Sequence, residues 1–99
     1  MTNYVLAFRG RPDRTPANGE DEAWGAWFGS MGAAVVDFGH RVRHAQTLSA
    51  EGEAAPEAQV LTGYVLIAAE NHEAAAKLAS GCPGLKSGVS VEIAETVDA

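Results

Sequence analysis

Ten consecutive residues, Val60 to Ala69, are nearly continuous in apolar character, and this run constrains the fold more than any other feature of the sequence. It is far shorter than the roughly 20 residues that a membrane-spanning helix needs. A run of this kind is typical of a central β-strand that is covered on both faces. The rest of the chain, or a partner, must therefore supply apolar surface to both sides of one sheet.

Three further segments show the period of two that is typical of strands. Residues 3–9 predict a first strand, residues 33–44 a second, and residues 89–97 a fourth that follows the 60–69 run. The segment 49–59 is small and acidic and contains a glycine and a proline, which predicts an exposed connection. A connection of this length is also compatible with a lid.

Two helices are predicted between the strands. Acidic residues at 20–22 and apolar side chains at helical spacing predict a helix over 20–31, and Gly32 is placed to end it. Asn71 is a predicted N-cap for a second helix with a narrow apolar stripe, which Gly81 ends.

The resulting order, β-α-β-β-α-β, predicts one α+β domain over residues 1–99. Its common solution is the ferredoxin-like arrangement, a four-stranded antiparallel sheet with two helices on one face. The second face of the third strand would then lie in water. Since 19 of the 46 apolar residues are alanine, the core is also weak. Both observations favour a homodimer in which two sheets cover each other, a dimeric α+β barrel.

Composition and simple motifs limit which partners the protein can bind and in which compartment it is expected. The formal net charge of −6 argues against nucleic acid. The single Cys82 cannot form an intrachain disulfide, and the first residues lack the features of a signal peptide, so we expect a cytoplasmic protein. No run is long enough for a membrane span. Motifs for nucleotide, metal or other cofactor binding are absent from the sequence, and no cofactor is predicted.

Five short motifs suggest a family. They are AWGAWF at 23–28, GAAVVDFG at 32–39, GYVLI at 63–67, GCP at 81–83 and VSVEIAE at 89–95. In order and spacing they resemble the YCII-related (YciI-like) proteins, small actinobacterial-type members in particular, along nearly the whole chain. The resemblance implies a dimeric α+β barrel. It implies either an enzyme or a small protein of the kind encoded near alternative sigma factors.

The chain departs from that family at two places. Many relatives carry an Asp-Gly-Pro-Phe signature before the third strand, whereas residues 58–62 read AQVLT. The enzymatic branch pairs a histidine near the first helix with a later aspartate, and residues 18–31 contain no histidine. Only the aspartate has a counterpart here, Asp37, so the resemblance does not carry over a catalytic dyad.

Asp37 is the principal candidate for catalysis. A carboxylate in the middle of a strand is unfavourable, and in a cavity it could act as a general acid or base. Alternatively, it pairs with Arg41 or Arg43 or faces solvent. His40 is its candidate partner. In a regular strand the two side chains point to opposite faces, but a bulge at Gly39 would redirect one of them.

The other histidines and the cysteine are weaker candidates. His40 and His44 would share a strand face, but four residues of a straight strand separate them by roughly 13 Å, which excludes a shared metal ion. His72 is expected at the surface. Cys82 is expected to be a packed thiol, because its sequence neighbours supply no activating base.

Arginines and tryptophans are the candidates for ligand binding. Arg9, Arg41 and Arg43 could present guanidinium groups to an anionic ligand, or could pair with surface carboxylates. Trp24 and Trp27 lie on one face of the predicted helix and favour core or dimer packing, with ligand stacking as the alternative.

Two hypotheses of function remain open. In the first, the protein is a small-molecule enzyme or ligand binder, with Asp37 as polar anchor, His40 as partner and Trp27 as a pocket wall. In the second, it is a non-catalytic dimeric module for regulation or interaction. A cofactor-free monooxygenase of the antibiotic-biosynthesis type is a further analogy, from fold alone.

Overall fold

The computed structural model describes residues 1–53 and 58–97. In chain order the elements are β1 (Thr2–Gly10), α1 (Glu20–Met31), β2 (Val35–Arg41), β3 (Leu48–Ser49), β4 (Gly52–Glu53), β5 (Val60–Ala69), α2 (His72–Ala79) and β6 (Ser90–Glu95). Short 3-10 turns precede β2, at 32–34, and β6, at 83–87.

The four long strands form one antiparallel sheet in the order β2-β5-β1-β6. The run at 60–69 is therefore an inner strand, as its apolar character predicts. The chain is an α+β protein with a four-stranded antiparallel sheet and two helices, which is compatible with a ferredoxin-like fold. No helix in the described ranges is long and apolar enough to cross a membrane.

Both helices pack on the same face of this sheet. The core there combines alternate residues of β1 and β5 with one side of each helix: Tyr4, Leu6, Phe8, Val65, Ile67, Trp27, Met31, Ala75 and Ala79. The indole Nε1 of Trp27 donates a hydrogen bond to the Leu78 carbonyl at 3.0 Å, which joins α1 to α2. The two helices and the sheet thus form a single two-layer core.

The opposite face of the sheet has no helix over it among the described residues. Its centre is apolar and half-buried and consists of Val5, Ala7, Tyr64, Leu66 and Ala68. The sequence-based expectation of an uncovered apolar face on the third strand is met at this surface.

The two helices begin and end as the sequence indicates. α1 has the predicted bounds, and the Gly32 N–H, at φ +52°, donates to the Phe28 carbonyl beyond its end. Asn71 caps α2, since its side-chain oxygen accepts a hydrogen bond from the Ala74 N–H at 2.8 Å.

Strand boundaries differ more from the prediction. The second strand spans 35–41 rather than 33–44, because residues 32–34 form a 3-10 turn and the pairing ends at Arg41. The fourth spans 90–95 rather than 89–97. Within the predicted connection 49–59 the structure has most of a small hairpin, β3 and β4, while residues 54–57 lie outside the described residues.

Candidate ligand-binding site

Strand β2 is irregular, and a glycine is the cause. Its pairing with β5 shifts register between Val35 and Asp37 and again between Asp37 and His40. Gly39 lies within the second shift at φ +63°. A Cβ built there would lie 1.9 Å from the Tyr64 carbonyl oxygen, so only glycine fits. A left-handed glycine in this position is typical of the G1 type of β-bulge.

The bulge changes which side chains share a face. Asp37 lies opposite Leu66 and His40 opposite Tyr64, so both are on the side that the helices leave uncovered. This corrects the expectation for a regular strand, in which the two would point to opposite faces. The His40 and Tyr64 rings are 6.2 Å apart between centroids. Sequence reasoning had identified Gly39 as the residue that could permit this change.

Asp37 has a structural partner within the bulge. Its Oδ1 accepts a hydrogen bond from the Gly39 N–H at 2.8 Å. Within the described residues no ion pair joins Asp37 to Arg41 or Arg43, the alternative that the sequence suggested. Asp37 therefore stabilises the bulge through a local side-chain-to-backbone hydrogen bond, and its side chain remains exposed.

A cavity of ≈ 650 Å³ lies between the N-terminal half of α1 and the sheet edge where β2 ends and β5 begins. This volume is within the range of about 300 to 1,000 Å³ that is usual for small-molecule sites. Five aromatic side chains line it together with aliphatic and charged ones: Phe8, Trp24, Phe28, Phe38 and Tyr64. Phe38 is 67% exposed and contacts Phe28, their ring centroids being 5.9 Å apart.

Cationic side chains are concentrated at this cavity. Four of the five arginines of the chain line it, together with two of the three histidines: Arg11, Arg14, Arg41, Arg43, His40 and His44. The lining carboxylates are Glu20 and Asp21. Four arginines against two carboxylates leave a net charge of +2 at the lining, in a chain whose formal net charge is −6.

Glu20 forms a buried hydrogen-bonded cluster in the cavity wall. Its carboxylate pairs with the Arg14 guanidinium and accepts hydrogen bonds from the Trp24 Nε1 at 3.2 Å and the Ala17 N–H at 3.4 Å. Arg14 also donates from Nε to the Ser87 carbonyl at 3.0 Å. The cluster fixes the loop before α1 against the helix and holds the Trp24 ring in place.

Two opposing effects act on the pKa of Glu20. Burial by itself raises the pKa of this carboxyl. The hydrogen bonds from Arg14, the Ala17 N–H and Trp24, with the charge of Arg14, outweigh burial and hold the pKa below its ordinary value. Glu20 is therefore ionised at neutral pH and is occupied by its partners.

This cluster was not identified from the sequence. One signal was present: Glu20 and Trp24 are four residues apart and so share a face of α1. Arg14 comes from an irregular loop, for which periodicity gives no orientation. Phe28 and Phe38 were likewise recognised only as apolar positions, although they form part of the cavity wall.

The residues predicted for catalysis and ligand binding lie in three separate places. Arg41 and His40 line the cavity, whereas Asp37 is not among its lining residues. Arg9 lies on the uncovered face of the sheet and pairs there with Glu92 at 3.2 Å. Trp27 is buried in the core and does not line the cavity, while Trp24, one turn earlier, does.

Neither the histidine pair nor the cysteine forms a reactive centre. His44 lies beyond the end of β2 at φ +60°, so it does not share a strand face with His40 as the sequence suggested. Cys82 is buried, and burial raises the pKa of its thiol although backbone hydrogen bonds from Gly84 and Leu85 act in the other direction. Across residues 1–53 and 58–97 no three His, Cys, Asp or Glu side chains are grouped as metal ligands.

Comparison with known proteins gives no assignment. The sequence matches no protein-family model, and a search of curated proteins finds no match. The cavity and the uncovered sheet face are the two features of the structure that indicate a function.

Proposed function

We propose that the protein binds a small molecule in the cavity between α1 and the ends of β2 and β5. The observation that carries this proposal is the cavity itself. It combines aromatic and aliphatic side chains with several charged ones and has ≈ 650 Å³ of volume in a chain of 99 residues. Ligand sites in proteins commonly have this composition.

We further propose that, if the protein is an enzyme, Asp37 and His40 supply acid–base chemistry. The Gly39 bulge supports this assignment, because it brings both side chains to the same face of β2. His40 also lines the cavity, so it is the nearer of the two to a bound ligand. Once a ligand is known, Asp37→Asn and His40→Gln should each lower turnover by at least about tenfold while the melting temperature stays near that of the wild type.

We also propose a ferredoxin-like fold, YCII-related ancestry and a cytoplasmic homodimer. The strand order β2-β5-β1-β6, with both helices on one face, supports the fold. The motif resemblance supports the ancestry, and the uncovered apolar face supports the dimer. A single, unpaired cysteine fits a reducing compartment.

Two glycines of α1 provide a matched test of the cavity. Gly25 lines the cavity and Gly29, one turn later, does not. A Cβ at either position would meet no atom within 4 Å. We expect Gly25→Leu to fill part of the cavity and Gly29→Leu to leave it open, with little strain in either variant.

The measurement is a melting-temperature screen of small metabolites against the wild type and both variants. A ligand at about 100 times its Kd stabilises a protein by about 2.7 kcal/mol, which is readily detected. Ligands that bind in the cavity should raise the Tm of the wild type and of Gly29→Leu but not of Gly25→Leu. If no ligand shows this pattern, the cavity is not a binding site.

One observation favours a second function, that of a non-catalytic dimeric module. The apolar face joins Leu66 and Tyr64 to their paired neighbours Val5 and Ala7 in one contiguous surface, and in the described part of the chain no helix lies over it. If dimerisation through this face is the function, the protein should form dimers while no compound passes the Gly25 and Gly29 test.

A further inference from the structure

We propose that the ligand of this cavity is a small anion with a flat apolar body, whose carboxylate or phosphate group is bound by Arg41 and Arg43. The inference rests on the proposed function and specifies its ligand class. Three features of the cavity support it: the distribution of charge, the absence of a carboxylate partner for these two arginines among the described residues, and the exposed aromatic surface in the same cavity.

The charge of the cavity is opposite to that of the chain. Its lining has a net charge of +2, so the remaining residues have a net charge of −8. Among lysines and arginines, only arginines line the cavity, because neither Lys77 nor Lys86 lies there. Arginine is the residue that binds carboxylate and phosphate groups through paired hydrogen bonds. A concave positive surface on a negative protein attracts an anionic ligand in preference to a cationic one.

Among the described residues, Arg41 and Arg43 have no carboxylate partner, unlike the other three arginines. Arg14 is held by Glu20, Arg11 pairs with Asp13 at 3.4 Å, and Arg9 pairs with Glu92. Within residues 1–53 and 58–97 no carboxylate lies within ion-pair distance of Arg41 or Arg43.

Strand pairing directs Arg41 toward the cavity. It lies opposite Gly63, and a Cβ on Gly63 would point toward Phe8 at 3.8 Å, on the helix-covered side. Because paired residues share a face, the Arg41 side chain extends to that side as well.

Exposed aromatic surface lines the same cavity as the two arginines. Phe38 is 67% exposed although it lies beside Phe28 and the cavity. A flat ligand placed against Phe38 would remove this apolar surface from water. An anion without an apolar body would leave Phe38 exposed, so we assign both features to one molecule.

Cinnamate and cinnamamide test the anionic part, since they share a flat apolar body and differ in charge. Calorimetric titration of the wild type at low salt should show cinnamate binding about tenfold more tightly than cinnamamide, with the preference reduced at high salt. Phenyl phosphate, titrated in parallel, shows whether phosphate is preferred to carboxylate. Filling the cavity by Gly25→Leu should weaken all three.

Arginine variants locate the anion site. Arg41→Gln and Arg43→Gln should each lower cinnamate affinity by about five- to tenfold and leave cinnamamide affinity unchanged. Arg9→Gln is the matched control, because Arg9 does not line the cavity, pairs with Glu92, and its replacement removes the same charge from the protein. It should leave both affinities unchanged.

Several results would overturn the inference. Equal affinity for cinnamate and cinnamamide would show a cavity that binds small molecules without selecting anions, and the proposed function would survive. The inference also fails, and the proposed function survives, if neither compound binds but neutral or cationic ligands raise the Tm of the wild type and of Gly29→Leu and not that of Gly25→Leu. If Arg9→Gln and Arg41→Gln lower the affinity for cinnamate equally, the anion is attracted by the overall charge of the protein and is not bound at a defined site.

Discussion

Glu20 connects the stability of the cavity wall to pH. Its side chain is 6% exposed and that of its partner Arg14 is 18% exposed, so the ion pair is shielded from water. Glu20→Gln leaves the Arg14 charge without its partner. We expect the free energy of unfolding to fall by about 2 kcal/mol at neutral pH. Chemical denaturation of the wild type and the variant measures this difference.

The pH dependence of the difference follows from the lowered pKa. The ordinary pKa of the carboxyl is 4.5, and in the folded protein it lies below this value. Glu20 therefore gives its full stabilisation above about pH 4.5 and loses it as the pH falls through the folded-state pKa. The gap between wild type and Glu20→Gln should close on acidification. Asp21→Asn, at the exposed next residue, is the control, and a gap of equal size in that variant would contradict the prediction.

At the residue scale, the sequence predicted chemistry better than location. Arg41 and His40 were candidates from their residue types, and both line the cavity. Trp27 was the candidate for a pocket wall, yet Trp24 lines the cavity and Trp27 does not. Helical periodicity shows that the two residues share a face of α1. It does not show where the neighbouring loop and sheet end, and this decides which tryptophan reaches the cavity. The Glu20 and Arg14 pair was missed because a contact between a helix and an irregular loop has no periodic signature.

Gly39 determines the geometry of β2 at the scale of a single element. Gly39→Ala would place a methyl group 1.9 Å from the Tyr64 carbonyl oxygen at φ +63°, so β2 must shift away from β5. We expect a loss of roughly 3 kcal/mol or more in the free energy of unfolding. Thermal and chemical denaturation provide the measurement.

Gly29→Ala is the matched control for this substitution. A Cβ at Gly29 meets no atom within 4 Å, and the residue lies in the interior of α1. Alanine there should stabilise the protein by roughly 0.5 to 1 kcal/mol. If Gly39→Ala proves as stable as Gly29→Ala, the bulge is not constrained in solution as it is in the structure.

Elements with a regular pattern were predicted well, and the irregular one was not. α1 has the predicted bounds because its acidic first turn and its terminal glycine are both local signals. β2 is shorter than predicted because residues 32–34 form a 3-10 turn and its last residue pair with β5 is at Arg41, and two register shifts interrupt its period of two. The position of a bulge depends on the partner strand. The sequence could therefore indicate only that Gly39 permits one.

The molecule as a whole is two layers thick. Its principal extents are 40 × 40 × 19 Å, which leaves room for one sheet and one layer of helices. The helices cover Val65 and Ile67, while none of the described elements covers Leu66 and Tyr64 on the other side of the same strand. The described part of one chain therefore covers only one of the two apolar faces of β5.

A second copy packed on this face would complete the burial of β5. Leu66 lies at the centre of the apolar surface, between Val5 and Asp37 in the sheet pairing, so Leu66→Glu would place a charge in the middle of such an interface. We expect the wild type to sediment at twice the 10.3 kDa chain mass and Leu66→Glu to sediment as a monomer.

Leu85→Glu is the control, because Leu85 is 45% exposed in the turn at 83–87, which packs beside α1. It should stay dimeric. A monomeric wild type, or equal dissociation of the two variants, would show that this face does not bind a second copy. The apolar run of β5 would then require a different partner.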